Sequence, residues 1–266
     1  MKFAKVHGLG NDFILLDLRG SPGAAAPDAE RAAGLCDRHR GVGADGVLTL
    51  LPGDRMVIHN ADGSVPEMCG NGARCAALWM ATDGCAHPAT GRVVLQTEAG
   101  ARPCMVEAVS PEHGLVEVEM GVPEVEPLRA LPLGRRRVQA TPVSLGNPHR
   151  VIFLDESAPD RLMSLAREFG PVLCRAEDAN IEFAGRTGPQ RYAVAVFERG
   201  AGLTQACGTG ACAVAAAAFA RGDADPGREV TIDLPGGALS IRLDPGSRQL
   251  RMRGPAQLVY VGELAI

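Results

Sequence analysis

Short alternating or wholly apolar runs dominate the chain. "RMVIHN" (55–60), "RVVLQT" (92–97), "LVEVEM" (115–120), "RVIFLD" (150–155), "RYAVAVFE" (191–198), "EVTIDL" (229–234), "LSIRL" (239–243) and "QLVYVGEL" (257–264) have the length and two-residue period of strands. The N-terminal 20 residues add two more strands around a Gly-rich turn. Helical spacing is rarer. "APDAERAAGLCDR" (26–38) has an acidic start, and "APDRLMSLAREFG" (158–170) opens near Asp160 and closes on Gly170. Two further segments, "GARCAALWMAT" (72–82) and "GACAVAAAAFAR" (210–221), are apolar on nearly every face, so helices there must be buried all round and wrapped by strands. The pattern predicts an α+β fold with more sheet than helix.

The two halves repeat each other. "LGNDFILLD" begins at Leu9 and "LGNPHRVIFLD" at Leu145; Asn11 matches Asn147. "CGNG" begins at Cys69 and "CGTG" at Cys207, each just before a buried helix. Asn60 and Glu198 hold the same place, nine residues ahead of the respective cysteine. A duplicated scaffold explains the strands and turns. It does not require a cysteine in the same loop twice. Between the halves, residues 123–137, rich in Pro and Arg and without a clean period, read as a crossover and a hinge.

Composition narrows the function. The chain has 266 residues, a net charge of −4 from 27 basic and 31 acidic residues, 46% hydrophobic residues and 4% aromatics. No basic run with interleaved aromatics supports nucleic-acid binding. No apolar stretch is long enough to span a bilayer, and the N-terminus lacks the pattern of a signal peptide. The expected compartment is the cytoplasm, with the eight cysteines reduced and most of them packed as small hydrophobes.

That leaves the two CGxG loops. As a metal site they fit poorly: C-x5-C lies outside the usual zinc spacing and C-x4-C at its edge, and His39, His59 and His149 show no ligand spacing. As phosphate loops they lack the Lys-Ser/Thr of a nucleotide site, although a Gly-rich helix start suits a carboxylate. As holders of working thiols they fit better. A cysteine at a helix N-terminus feels the positive end of the dipole, which favours thiolate, and a partly ionised thiol serves as acid or base. Cys69 and Cys207 are the candidates; Cys36, Cys75, Cys85, Cys104, Cys174 and Cys212 read as packing. If the halves face each other, one sulfur removes a proton from a carbon and the other returns one to the opposite face.

At these residues the chain resembles diaminopimelate epimerases. The resemblance runs nearly end to end, through "HGLGNDF", "DRHRGVGADG", "NADGSVPEMCGNGARC", "SLGNPH", "ANIEF", "VFERGAGLTQACGTGACA" and "GPAQLVYVGE". It implies two similar domains, 1–122 with 256–266 and 123–255, each a strongly curved sheet or barrel around a central helix. It also implies interconversion of LL- and meso-2,6-diaminopimelate in lysine biosynthesis without cofactor or metal, usually by a homodimer. Cys69 and Cys207 match the acid/base cysteines, and Gly70, Asn71, Gly208 and Thr209 the helix starts that bind the reacting carboxylate. Asn11, Asn60, Asn147, Asn180 and Arg199 match substrate-binding positions, Glu198 a position near the reacting amino group, and His149 one close to the thiols. Taken alone, each Asn could be a turn residue and Arg199 a surface charge. Asp12, Asp62 and Glu67 read as turn and surface residues. Gly46 departs from members that have Gln in the substrate pocket. A two-thiol racemase for another amino acid, such as proline, is the rival reading.

Overall fold

A computed structural model of the protein describes residues 1–66, 68–82, 90–108, 110 and 112–264. Glu67 and Cys85 lie outside the described residues. The chain forms two compact units, Met1–Val118 with Gly254–Ile266, and Glu119–Arg253. It passes between them inside strands rather than through a linker.

Unit 1 contains β1 (Lys2–Gly8), β2 (Asn11–Asp17), α1 (Ala29–Cys36), β3 (Gly46–Leu51), β4 (Arg55–Asn60), α2 (Gly70–Thr82), β5 (Thr90–Thr97), β6 (Gly100–Ala108) and most of β7 (His113–Gly121). Unit 2 contains β8 (Glu124–Val125), β9 (Arg129–Leu133), β10 (Arg136–Ser144), β11 (Pro148–Leu154), α3 (Pro159–Glu177), β12 (Asn180–Gly188), β13 (Arg191–Glu198), β14 (Gly202–Leu203), α4 (Gly208–Arg221), β15 (Val230–Leu234) and β16 (Gly237–Leu243). The last strand, β17 (Leu250–Glu263), starts in unit 2 and ends in unit 1.

In unit 1, β1 to β7 pair in chain order, and β17 pairs with both β1 and β7, so eight strands close into a barrel. α2 packs against β1 to β6. The sequence explains why it sits there: Ala73, Cys75, Ala76, Ala77 and Leu78 offer no polar face to water, and all are buried. In unit 2 the order is β10-β11-β12-β13-β15-β16-β17, with β8 and β9 both on β10 and β14 on the end of β13. α4 packs against β8, β10, β11, β12, β15 and β16. Its run Ala213–Ala218 is buried. Side chains this small let strands crowd the helix on several sides; larger ones would overpack it at about 1–3 kcal/mol each.

Both units use one local frame. A tight turn (Leu9 φ 58°, Gly10 φ 82°; Gly146 φ 96°) ends in Asn11 or Asn147. The strand that follows the turn runs parallel to the next long strand, β2 with β3 and β11 with β12. A cysteine then caps the central helix.

Two expectations are corrected. The Pro/Arg-rich segment 123–137 is not a free crossover: it forms β8, β9 and the start of β10 within unit 2, with Pro132 inside β9 opposite Arg137. The helix opened at Pro159 does not stop at Gly170 but runs through Pro171 to Glu177. Gly170 lies against Phe197, where an added Cβ would come within 2.6 Å of the ring-bearing carbons. The buried face Leu162, Ala166, Gly170, Leu173 and Cys174 carries the helix past the hydrogen bond that Pro171 removes. Asp178, in the left-handed region at φ 47°, ends it.

Candidate functional site

Each unit presents one cysteine in the same setting. The sulfur of Cys69 accepts a hydrogen bond from Gly72 N at 3.4 Å, and Ala73 N bonds to the Cys69 carbonyl. The sulfur of Cys207 accepts from Gly210 N at 3.3 Å, and Ala211 N bonds to its carbonyl. Both thiols therefore act as helix N-caps, satisfying amides that would otherwise be orphaned. Their surroundings differ.

Around Cys69 the supports are amides and cations. Asn71 Nδ2 donates to Asn11 Oδ1 at 3.0 Å, and Asn11 Nδ2 to Asp45 Oδ2 at 2.9 Å. Arg74 lies fully buried inside the barrel. Its Nη2 donates to Asn71 Oδ1 at 2.8 Å and its Nε to the Pro255 carbonyl at 3.1 Å. Gly8 leaves room for the guanidinium: an added Cβ would stand 2.8 Å from Nη2. Asp45 and Asp12 share Arg38, and Asp12 also pairs with Lys5. Burial works against the charge on Asp12, but Arg38 and Lys5 hold its carboxyl below the usual carboxylate range. Asp12 is thus more than the turn residue its position suggested. Cys69 itself is half-buried.

Around Cys207 the supports are carboxylates and a histidine. Cys207 is only 4% exposed. Its sulfur lies 3.5 Å from Thr209 Oγ1, and Asn147 Nδ2 donates to that hydroxyl at 3.3 Å. His149 Nε2 is 3.1 Å from Asn147 Oδ1, and His149 Nδ1 is 2.6 Å from Glu182 Oε1, both side chains of this pair being fully buried. Glu198 accepts from Thr204 Oγ1 at 2.5 Å and from the Cys207 thiol. Burial and the neighbouring Glu182 push the Glu198 carboxyl up, against Thr204, Cys207 and His149, which favour its charge.

These groups overturn one expectation. The helix N-terminus was expected to pull the Cys207 thiol down. Burial, Glu198 and Glu182 instead push it well above its ordinary value, against the hydrogen bonds from Thr209 and Gly210 N. Two nearby negative charges and the loss of water outweigh one helix end.

The remaining predicted residues fall in two places. Asn60 stays in its own turn, its amide donating to Ser64 Oγ at 2.9 Å while Asp62 accepts from the same serine. Asn180 is buried, and its Oδ1 accepts from Arg199 N at 2.8 Å. The Arg199 guanidinium is half exposed and rests on Asp178 at 3.2 Å. Gly46 is closed to any side chain, since a Cβ would meet the His59 carbonyl at 2.6 Å. Sequence reasoning missed Arg74, Asp45, Glu182 and Thr204. Arg74 and Glu182 had a signal: each is the lone charge in an otherwise buried run. Among the described residues no group of three or more His, Cys, Asp or Glu could hold a metal, and no helix is long and apolar enough to cross a membrane. A cavity of about 770 Å³ in unit 1, bounded by Phe3, Asp17, Arg19 and Trp79 among others, includes none of the predicted site residues.

Comparison with known proteins agrees with this frame. The family model for diaminopimelate epimerase matches residues 3–126 and 141–259. A diaminopimelate epimerase of Synechococcus sp. (strain JA-3-3Ab) is 42% identical over 289 aligned positions, covering all of this chain and 98% of the relative. One from Synechocystis sp. (strain ATCC 27184 / PCC 6803 / Kazusa) is 40% identical, covering all of this chain and 99% of that protein. Among solved structures, a hydroxyproline epimerase from Agrobacterium vitis (TM-score 0.75, 16% identity, 100% of this chain and 92% of the other) has the same fold. So does a probable proline racemase from Agrobacterium radiobacter K84 (TM-score 0.73, 16% identity, 100% and 93%). With the motifs continuous over the whole length and both capping cysteines in place, the chain belongs to the diaminopimelate epimerase family.

Proposed function

We propose that the protein interconverts LL- and meso-2,6-diaminopimelate in lysine biosynthesis, with Cys69 and Cys207 as the two acid/base groups. One thiol removes the α-hydrogen and the other returns a proton to the opposite face, so the configuration at that carbon inverts. The observation that carries this reading is the family match together with a cysteine capping the central helix of each unit.

The α-hydrogen of an amino acid is far less acidic than a thiol, so its removal needs help. The amides at Gly70 and Asn71 and at Gly208 and Thr209 open helices, and such amides stabilise the negative charge that builds on the reacting carboxylate. Glu198, held by Thr204, suits an ammonium group. Asn11, Asn60, Asn147 and Asn180 supply amide contacts to the substrate. Arg199 clamps the distal carboxylate, exchanging Asp178 for the ligand. No cofactor or metal takes part. The enzyme works in the cytoplasm as a homodimer.

The test is a coupled assay with no cofactor added, offering LL-diaminopimelate and L-proline separately. The expected result is inversion of the first alone. Inversion of proline with diaminopimelate untouched would replace this reading with that of a proline-type racemase.

A further inference from the structure

Glu182 belongs to none of the positions assigned above, yet it is a fully buried charge at the heart of unit 2. Its Oε2 has no hydrogen-bond partner among the described residues. A buried carboxylate with one oxygen unpaired is costly, and an apolar side chain of the same size would serve the core better. The first turn of α4 is nonetheless shaped around it. A Cβ on Gly210 would stand 2.9 Å from Glu182 Oε1 and 3.3 Å from the Cys207 sulfur. The second glycine of CGTG therefore lets the cap of the helix approach this carboxylate.

The chain of contacts from Glu182 has a direction. A carboxylate only accepts, so His149 Nδ1 carries the hydrogen in the 2.6 Å contact. His149 Nε2 faces an oxygen, Asn147 Oδ1, at 3.1 Å, so it carries a hydrogen too. Asn147 then turns its Nδ2 to Thr209 Oγ1 at 3.3 Å. Because that oxygen already accepts, the Thr209 O–H is free to donate to the sulfur 3.5 Å away. Beyond the Nδ1–H that faces the carboxylate, every donor points toward Cys207. If the ring were neutral, one nitrogen would present a lone pair to an oxygen and the order would break.

We propose that Glu182 is a positioning residue for the Cys207 thiol: it keeps both nitrogens of His149 as donors, and through Asn147 it aims the Thr209 hydroxyl at the sulfur. The consequence rests on the reading of Cys207 as an acid/base group. When that thiol loses its proton, a donor is already in place. The groups facing the sulfur are Glu198 from β13, Glu182 from β12, and Thr209 and the Gly210 amide from α4 itself. Glu182 thus sets hydrogen-bond direction, while Glu198 accepts the thiol hydrogen directly.

The experiment has two arms. In the first, ¹⁵N NMR of the unmodified protein, labelled at histidine, reads which ring nitrogens of His149 carry hydrogen. Hydrogen on both nitrogens is expected from their two oxygen partners, and a neutral tautomer overturns the proposal whatever the substrate proves to be. In the second, Glu182→Gln and the double variant Glu182→Gln with His149→Gln are compared with His149→Gln alone. The expectation for Glu182→Gln is a kcat lowered about 30-fold with KM within twofold, even though loss of the Glu182 charge by itself moves the Cys207 alkylation profile to lower pH, with that of Cys69 unmoved. The double variant should lose no more than about twofold beyond His149→Gln. Independent, multiplicative losses, or an unchanged Cys207 profile in folded Glu182→Gln, overturn it. Failure of the unmodified protein on diaminopimelate would instead strike the proposed function and leave the NMR arm standing.

Discussion

The surroundings of Cys69 in unit 1 and of Cys207 in unit 2 share a frame and differ in charge. In both, a glycine turn delivers an asparagine, a cysteine caps a buried helix, and the amide three residues on bonds the sulfur. In unit 1 the asparagines lean on a buried arginine and on carboxylates already neutralised by Arg38 and Lys5. In unit 2 the asparagine leans on a histidine paired with Glu182, while Glu198 touches the thiol. The repeat thus preserves geometry and lets electrostatics diverge. The Cys207 side is built to keep a proton on sulfur until a cationic group answers its carboxylates.

The likeness of the two cysteine settings breaks most visibly if either thiol proves dispensable. Cys69→Ala and Cys207→Ala should each lower kcat/KM by about 10³-fold, within the range that acid/base groups contribute. A variant retaining a tenth of the activity would remove its half from the chemistry. The next effect tests charge. Thiolate is the alkylating species, and a neighbouring carboxylate disfavours it. Glu198→Gln should therefore let Cys207 ionise at lower pH and speed its alkylation at pH 8 about tenfold. Cys75, pushed up to about 12 by burial, is the silent control. An unchanged rate would show that the carboxylate does not govern the thiol.

On the unit 1 side, Arg74→Met removes donors from Asn71 Oδ1 and the Pro255 carbonyl. Leaving buried acceptors unpaired should cost about 2–3 kcal/mol, read as a drop in the urea midpoint without a change in slope. The smallest contrast is between the two helix-start glycines. Gly210→Ala meets Glu182, which His149 holds in place, whereas Gly72→Ala meets only the Leu48 methyl at 2.8 Å. The first should cost about 1–3 kcal/mol and the second under about 1, measured by thermal unfolding. Equal costs would mean that Glu182 yields as easily as a leucine.

Much of this frame was legible from residue order alone. α2 and α4 announced themselves by being apolar all round, and the matched Gly-Asn and Cys-Gly motifs placed the caps. Strands that read as one continuous apolar run, such as β13, kept their bounds. The less regular ones hid. β6 carries Pro103 and Arg102, β8 is two residues long, and in β12 Glu182 and two glycines blur the period. The end of α3 was misread because local Gly-Pro chemistry argued for a stop that packing against Phe197 overrides. For the site, motifs marked the residues in the loops but not those beneath them. Arg74 and Glu182 act through partners on other segments, and nothing in a linear pattern says which partner a buried charge will meet. The direction in which the Cys207 thiol moves was misjudged for the same reason: the helix end is local, and the opposing carboxylates arrive from other strands.

The central claim is that two thiols, not one, handle the proton. The most direct measurement is early-time turnover of LL-diaminopimelate in deuterated water, with isotope content read in substrate and product separately. The account predicts a meso product carrying one deuterium at the inverted carbon and a recovered LL pool still unlabelled. A recovered LL pool that gains deuterium as fast as product forms would contradict it, because a single base would then be trading the abstracted proton for solvent deuterium and returning it to either face.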